Sequence, residues 1–310
     1  MSDLFYRRIK DILPSNQLLY DVVNNAKNFN LVKKSHKTEV YIISLNDEEF
    51  ILKSYLKPRY ALKEYIAIKE YVVSTPLKPP EIISYQIETI PAFILFKKFK
   101  GRELNLMNKK EVVRFIPNVI KMISNYDLIK FPHYGEIVGD YEPSPNTKDF
   151  RVYLSRLIKF WVGNIEKSYK LSKFLKKQSE NIYNRLDRVP SLLSVSPTFN
   201  HSDLRLENIL YTKDGLVVID YDNAFSFVRE FDLCKLFIDI KLNNIPYPFY
   251  KFINDILTYY NVNPQLAYES LLFYFNIVFL RLLNYYVNYN KMEQFDNMCT
   301  LFNDIIKFYY

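Results

Sequence analysis

Glycine is scarce in this chain. There are 5 in 310 residues and none before Gly101, which leaves few turns that can depend on a positive φ. Cysteine is nearly absent as well: Cys234 and Cys299 stand far apart, match no metal-ligand or redox spacing, and read as buried, reduced thiols. The most apolar stretch, Leu271 to Val287, is interrupted by Asn276, Arg281 and Asn284. It falls short of the ~18 consecutive apolar residues a membrane span takes, and is expected to be a buried helix. The opening Met-Ser-Asp-Leu-Phe-Tyr-Arg-Arg has no uninterrupted apolar core of a secretory signal, so a cytoplasmic protein is expected. Internal repeats and low-complexity linkers are also missing.

Aromatic residues are abundant, with 27 Tyr and 24 Phe, and 49% of the chain is hydrophobic, enough for a sizeable and densely packed core. The length allows two modest domains or one bilobed unit. A formal charge of +8 favours anionic partners. The lysines are scattered rather than clustered, which reads as a solvated surface, so neither a nucleic-acid partner nor membrane insertion is expected.

Along the chain the hydrophobic period changes. Residues 4 to 27 carry helical spacing punctuated by Pro14 and Ser15. Thr38 to Leu45, a turn at Asn46-Asp-Glu and Glu49 to Tyr55 read as a β-hairpin; a helix from about Tyr60 to Val73 and strands near Ile82 to Glu88 and Ala92 to Lys97 follow. Beyond Gly101 the pattern is largely helical: Lys109 to Tyr126, Thr147 to Ser168 with Thr147 as N-cap, and Leu171 to Leu186. Strand-and-loop character returns from Phe199 to Ile219. Later helices are expected to open at Asn263-Pro264 and at Asn290, the second with Glu293 in a capping box.

The most informative segment is His201-Ser-Asp203-Leu-Arg205-Leu-Glu-Asn208-Ile-Leu210, followed twelve residues after Asn208 by Asp220 at the end of Leu216-Val-Val-Ile219. Phosphoryl transfer asks a protein for positioning and charge neutralisation. Asp203, five residues before Asn208, is spaced to present a base and a metal ligand to one phosphate; Asp220 would emerge at a rigid strand end. An isolated His-x-Asp is common in turns, but the joint pattern is specific. Upstream, strand alternation puts Lys53 on the face of Ile51 and Tyr55, inward for a charge, and a buried lysine needs a carboxylate. Glu64 sits in an apolar helix stripe and is favoured as that partner, with Glu70 the competitor.

These motifs resemble the aminoglycoside phosphotransferase and choline kinase family, of the protein-kinase-like superfamily, whose loop reads His-Gly-Asp-Leu-x-x-x-Asn-Ile-Leu and whose metal strand reads Ile-Asp-x-x-x-Ala. Here they are His201 to Leu210 and Ile219 to Ala224, with Arg229-Glu-Phe-Asp232-Leu-Cys resembling the Asp-Leu-Ala whose aspartate braces the catalytic region. The resemblance implies an α+β, bilobed kinase-like fold: a small antiparallel-sheet nucleotide-binding lobe over residues 1–100 and a mainly helical catalytic and substrate lobe over 101–310. It implies ATP and Mg2+, with Asp203 orienting and deprotonating the acceptor hydroxyl, Asn208 and Asp220 holding the metal, Lys53 and Glu64 gripping phosphates, and main-chain groups of Lys97 and Phe99 meeting adenine. Arg205 either neutralises the transferred phosphoryl or pairs with Glu207 or Asp222. His201 is expected to brace the loop by hydrogen bonding.

The chain departs from that family in two places. Without glycine before Gly101, Lys34-Ser-His-Lys-Thr38 must serve the phosphates with side chains and a few backbone amides, and Ser202 replaces the usual loop glycine. The expected activity is transfer of the ATP γ-phosphate to a hydroxyl of a sugar, amino alcohol or aminoglycoside-like small molecule. The alternatives are a non-catalytic pseudokinase module and a small atypical protein kinase. Pro132 to Leu186 and the last two helices are expected to form the acceptor groove, without a pattern that selects the acceptor.

Overall fold

The computed structural model describes residues 25, 28–139, 145–168, 180, 182, 184 and 196–309. The expected helices over 4–27 and Leu171 to Leu186 therefore lie almost wholly outside the described residues. The chain forms two compact units, Met1–Arg102 with Leu210–Asn223, and Glu103–Ile209 with Ala224–Tyr310. The segment Leu210–Asn223 thus groups with the first unit, where the sequence division at 100 had left it in the second.

In the first unit five strands, β1 (Asn28–Lys34), β2 (Thr38–Leu45), β3 (Glu48–Tyr55), β4 (Ile82–Gln86) and β5 (Ala92–Lys97), make an antiparallel sheet ordered β1-β2-β3-β5-β4. Tyr41, Ile43, Phe50, Leu52, Phe93 and Leu95 fill one face as a buried cluster. β1 is absent from the sequence reading for a physical reason: a register shift between Leu31 and Lys33 breaks its alternation, and Leu31 and Val32 are exposed. Helix α1 (Pro58–Ile66) starts on Pro58 and continues through a π-helical turn, Ala67–Tyr71, and a 3-10 turn, Val72–Ser74. Short strands Gly101–Glu103, Ile209–Thr212 and Gly215–Val218 form a second sheet. A Cβ at Gly101 would meet the Tyr211 carbonyl oxygen at 2.8 Å and Thr212 Cγ2 at 2.9 Å, so only glycine permits this approach. This pairing, the packing of Tyr221–Asn223 against α1 and the ion pair of Lys53 with Asp220 join residues 210–223 to the first unit.

The second unit is mainly helical: α2 (Lys109–Tyr126), α3 (Phe150–Ser168), α4 (Glu230–Leu242), α5 (Phe249–Tyr259), α6 (Pro264–Asn288) and α7 (Met292–Tyr309). α6 is long and apolar enough to cross a membrane by length and composition, but 78% of its most apolar window is buried against its neighbours. It is the core helix. Three short strands, ordered Gly135–Glu136, Phe225–Phe227 and Thr198–Asn200, carry the chain into the loop at His201.

Helix caps separate the local signals that survive from those that do not. Asn108 and Glu111 close a capping box on α2, and Asn263 Oδ1 accepts from Gln265 N at 2.8 Å with Pro264 at the first helical position. Thr147 does not cap α3: its backbone exchanges hydrogen bonds with Tyr134, and Asp149 Oδ1 accepts from Val152 N instead. Asn290 does not open α7. At φ 53° it ends α6, with its N–H donated to the Val287 carbonyl, a left-handed role that asparagine tolerates. Cys234 is buried as expected, whereas Cys299 is only partly so.

Candidate active site

In the first unit the centre is Lys53, 8% exposed at the end of β3. Its ammonium donates to both Glu64 oxygens at 2.8 Å and to Asp220 Oδ1 at 2.6 Å. Glu64 reaches inward from α1, and Tyr55 OH donates to its Oε2 at 2.5 Å. Glu70 is exposed on the π-helical turn and is not the partner. Burial opposes a charged Lys53, but Asp220, Glu64 and Asp222 outweigh it and hold the ammonium well above its usual range. Asp220 follows the strand Gly215–Val218 at φ 71°, strained backbone of the kind that collects at functional sites. Asp222 is buried beside it; burial first, then the Asp220 charge, pushes its carboxyl up to about 7.

The glycine-free turn between β1 and β2 is closed by a side chain. Ser35 Oγ accepts from the N–H groups of Lys37 at 3.1 Å and Thr38 at 3.0 Å, so those amides, expected to serve phosphates, are already spent. Lys37 acts instead through its ammonium, which donates to Asn223 Oδ1 at 2.6 Å and lies 4.8 Å above the Tyr60 ring. On β5 the Lys97 N–H is also committed, to the Glu81 carbonyl at 3.0 Å. Phe99 lies beyond the strand end, with the Lys78 ammonium 5.8 Å from its ring centre.

In the second unit a single helix organises the loop after Asn200. Asp232, in the first turn of α4, accepts from the backbone N–H of His201 at 2.7 Å and of Ser202 at 2.8 Å. Asp239, two turns on, accepts from Leu206 N at 2.8 Å. His201 is fully buried, and its Nδ1 accepts from Asp203 N at 3.3 Å. Ser202 stands at φ 65°, which accounts for glycine at this place in the resembling loop. Asn208 Nδ2 donates to the Asp203 carbonyl at 2.8 Å, closing the loop.

Asp203 faces two cations. Lys235 Nζ on α4 lies 3.3 Å from Oδ1, and Arg205 Nε lies 3.3 Å from the same oxygen. Arg205 also pairs with Glu207 at 2.5 Å, one of the partners expected for it. Burial alone would raise the Asp203 carboxyl; Lys235, then Arg205 and His201, reverse that and hold it well below the carboxylate range.

The expected residues therefore fall into two sets: Lys53, Glu64 and Asp220 meet in one, and Asp203, Arg205 and Asn208 in the other. Lys97 meets Glu81 and Glu48 instead, and Phe99 meets Lys78. Sequence reasoning missed the roles of Tyr55, Lys235 and Asp239. Asp232, Lys235 and Asp239 recur at i, i+3 and i+7, one helix face, and that spacing was the available signal. A magnesium ion needs hard oxygen donors. The clustered carboxylates of Glu64, Asp220 and Asp222 in the first unit fit that demand, and in the second unit Asn208 carries an amide oxygen.

The family description Choline/ethanolamine kinase matches residues 67–266. No curated protein matches the sequence. Among solved structures, the chain is similar to a thermostable mutant of aminoglycoside phosphotransferase APH(4)-Ia in its apo form, with TM-score 0.69 and 13% identity over 94% of this chain and 98% of that one. It is similar to choline kinase LicA from Streptococcus pneumoniae, with TM-score 0.65 and 13% identity over 99% and 98%. The GDP and kanamycin complex of APH(2")-IIia aligns with TM-score 0.63 and 11% identity over 96% and 100%. At such identities the likeness shows an α+β, protein-kinase-like fold.

Proposed function

Because this chain belongs to the choline/ethanolamine kinase family, and is by class a small-molecule kinase, we propose that it moves the γ-phosphoryl group of ATP to a hydroxyl of a small molecule. The observation that carries this reading is the buried Lys53 ammonium shared by Glu64 and the strand-end Asp220. A cation kept charged at that position serves the phosphates of a nucleotide, and with the glycine loop missing the Lys37 ammonium adds to it. Phe99 is the remaining main-chain candidate for the base, since the Lys97 N–H is taken. Asp220 would hold magnesium, which when bound neutralises charge on the phosphate oxygens.

Asp203 is a carboxylate throughout the neutral range. It accepts a hydrogen bond from the acceptor hydroxyl and takes its proton late, as the acceptor oxygen bonds to phosphorus, the bridging P–O bond breaks and ADP leaves. A pseudokinase has no need of such a group. The test is ADP formation by the purified protein across an alcohol panel, run with two variants. Asp203→Asn is expected to lower kcat by roughly 100-fold or more while keeping the thermal stabilisation given by magnesium-ATP. Asp220→Ala is expected to lose that stabilisation. Wild-type turnover in Asp203→Asn would overturn the reading.

A further inference from the structure

One cation of the second unit makes no direct ion pair with a carboxylate among the described residues. Arg281, on α6, lies with its guanidinium carbon 5.0 Å from the ring centre of Phe225 and 4.9 Å from that of Phe231. These rings stand edge to face 5.4 Å apart, in a cluster continued by Phe227, Tyr153 and Phe150. The guanidinium donates one hydrogen bond, from Nη2 to Ser202 Oγ at 3.2 Å, beside Asp203. The carboxylates acting on it through space are Asp203, Glu136 and Asp232. Asp203 is engaged by Lys235 and Arg205, and Asp232 by two backbone amides. Among the described residues no carboxylate pairs with Arg281. A guanidinium carries five N–H donors in a fork that matches carboxylate or phosphate, and leaving it unpaired at a partly buried site is costly.

The rings bear on the acceptor as well. A quaternary ammonium is bound by aromatic faces, and here Phe225 and Phe231 are already covered by the protein's own cation. An aminoglycoside needs free carboxylates, and Asp203, Asp232 and Asp239 are spent on Lys235, Arg205 and backbone amides. We propose that the acceptor is an anionic alcohol, a hydroxy acid or a polyol or sugar phosphate, whose carboxylate or phosphate is held by the Arg281 fork while its hydroxyl meets Asp203. This rests on the kinase reading above and adds the charge of the acceptor. Because Ser202 directly precedes Asp203, the anionic group and the reacting hydroxyl lie close together in a compact molecule.

The experiment measures magnesium-ATP turnover with choline, ethanolamine and kanamycin, with neutral sugars, and with separate panels of hydroxy acids and of polyol and sugar phosphates. Asp203-dependent turnover is expected in an anionic panel, and the two panels distinguish carboxylate from phosphate. Arg281→Gln should raise KM for that acceptor by roughly 10-fold or more with a smaller change in kcat, and Arg281→Lys should recover part of the loss. Nucleotide-induced stabilisation, measured on each variant, verifies folding. Turnover confined to cationic alcohols, no turnover of any anionic alcohol, or an unchanged KM in Arg281→Gln each overturns the assignment. Turnover of cations alone leaves the kinase reading standing. No turnover of any class, with no stabilisation by magnesium-ATP, ends both.

Discussion

Ser202 and Asp220 are the two functional-region residues at positive φ, 65° and 71°, and each such conformation costs on the order of 1 kcal/mol for a non-glycine residue. In both cases neighbouring contacts hold the strain: the Asp232 carboxylate grips the Ser202 amide, and Lys53 grips the Asp220 side chain. A different residue governs pH dependence. Glu230 is buried at the start of α4, where its own backbone N–H and Ser270 Oγ, at 3.4 Å, donate to it, and burial outweighs these and Arg229 in pushing its carboxyl from 4.5 up to about 7. The folded protein thus keeps a proton that the unfolded chain releases near 4.5, so this contribution is full below that pH and is lost as pH rises through about 7. Glu230→Gln should therefore gain stability over wild type at pH 8 but not at pH 4, by at most about 3 kcal/mol. Denaturant melts at the two pH values check this, and equal differences at both would refute it.

At the scale of the element, α4 acts as a polar spine. Asp232 and Asp239 hold the loop backbone at two points, and between them Lys235 reaches Asp203. Lys235 is a positioning residue whose charge acts through Asp203. Lys235→Met keeps the side-chain length and removes the cation. It is expected to lower kcat roughly 10- to 100-fold, to leave nucleotide-induced stabilisation in place, and to be partly rescued by Lys235→Arg. If the arginine variant behaved like the methionine one, or if nucleotide binding fell in parallel, the helix would be supporting the fold and nothing more specific. The spacing of these residues is visible in the chain, but their direction is not, because most of α4 is buried and its apolar periodicity picks out no single face.

At the scale of the whole molecule, eleven residues separate Asp220 from Asp232, and they are occupied by a 3-10 turn, a three-residue strand and the start of α4. That leaves no extended segment on which to lay out a peptide. The acceptor is accordingly expected to be a metabolite. Labelled ATP offered with a metabolite extract, or with a whole-protein lysate, should mark an extract component in an Asp203-dependent way. Asp203-dependent label on lysate proteins alone would favour a protein kinase.

Much of the candidate site was legible because its chemistry is written locally. The run from His201 to Asn208 and the strand leading to Asp220 specify a loop and a strand end within a few residues, and hydrophobic alternation turned Lys53 inward toward the helix that carries Glu64. Local capping chemistry placed the start of α6 equally well. Tertiary structure decided what depends on partners far apart in sequence. It gave Thr147 to Tyr134 and the Lys97 amide to Glu81, spent the Ser35 turn on itself, and brought Lys235 and Arg281 to the loop at Asp203. A buried charge is settled only by whichever groups surround it after packing, and no periodicity along the chain encodes that neighbourhood.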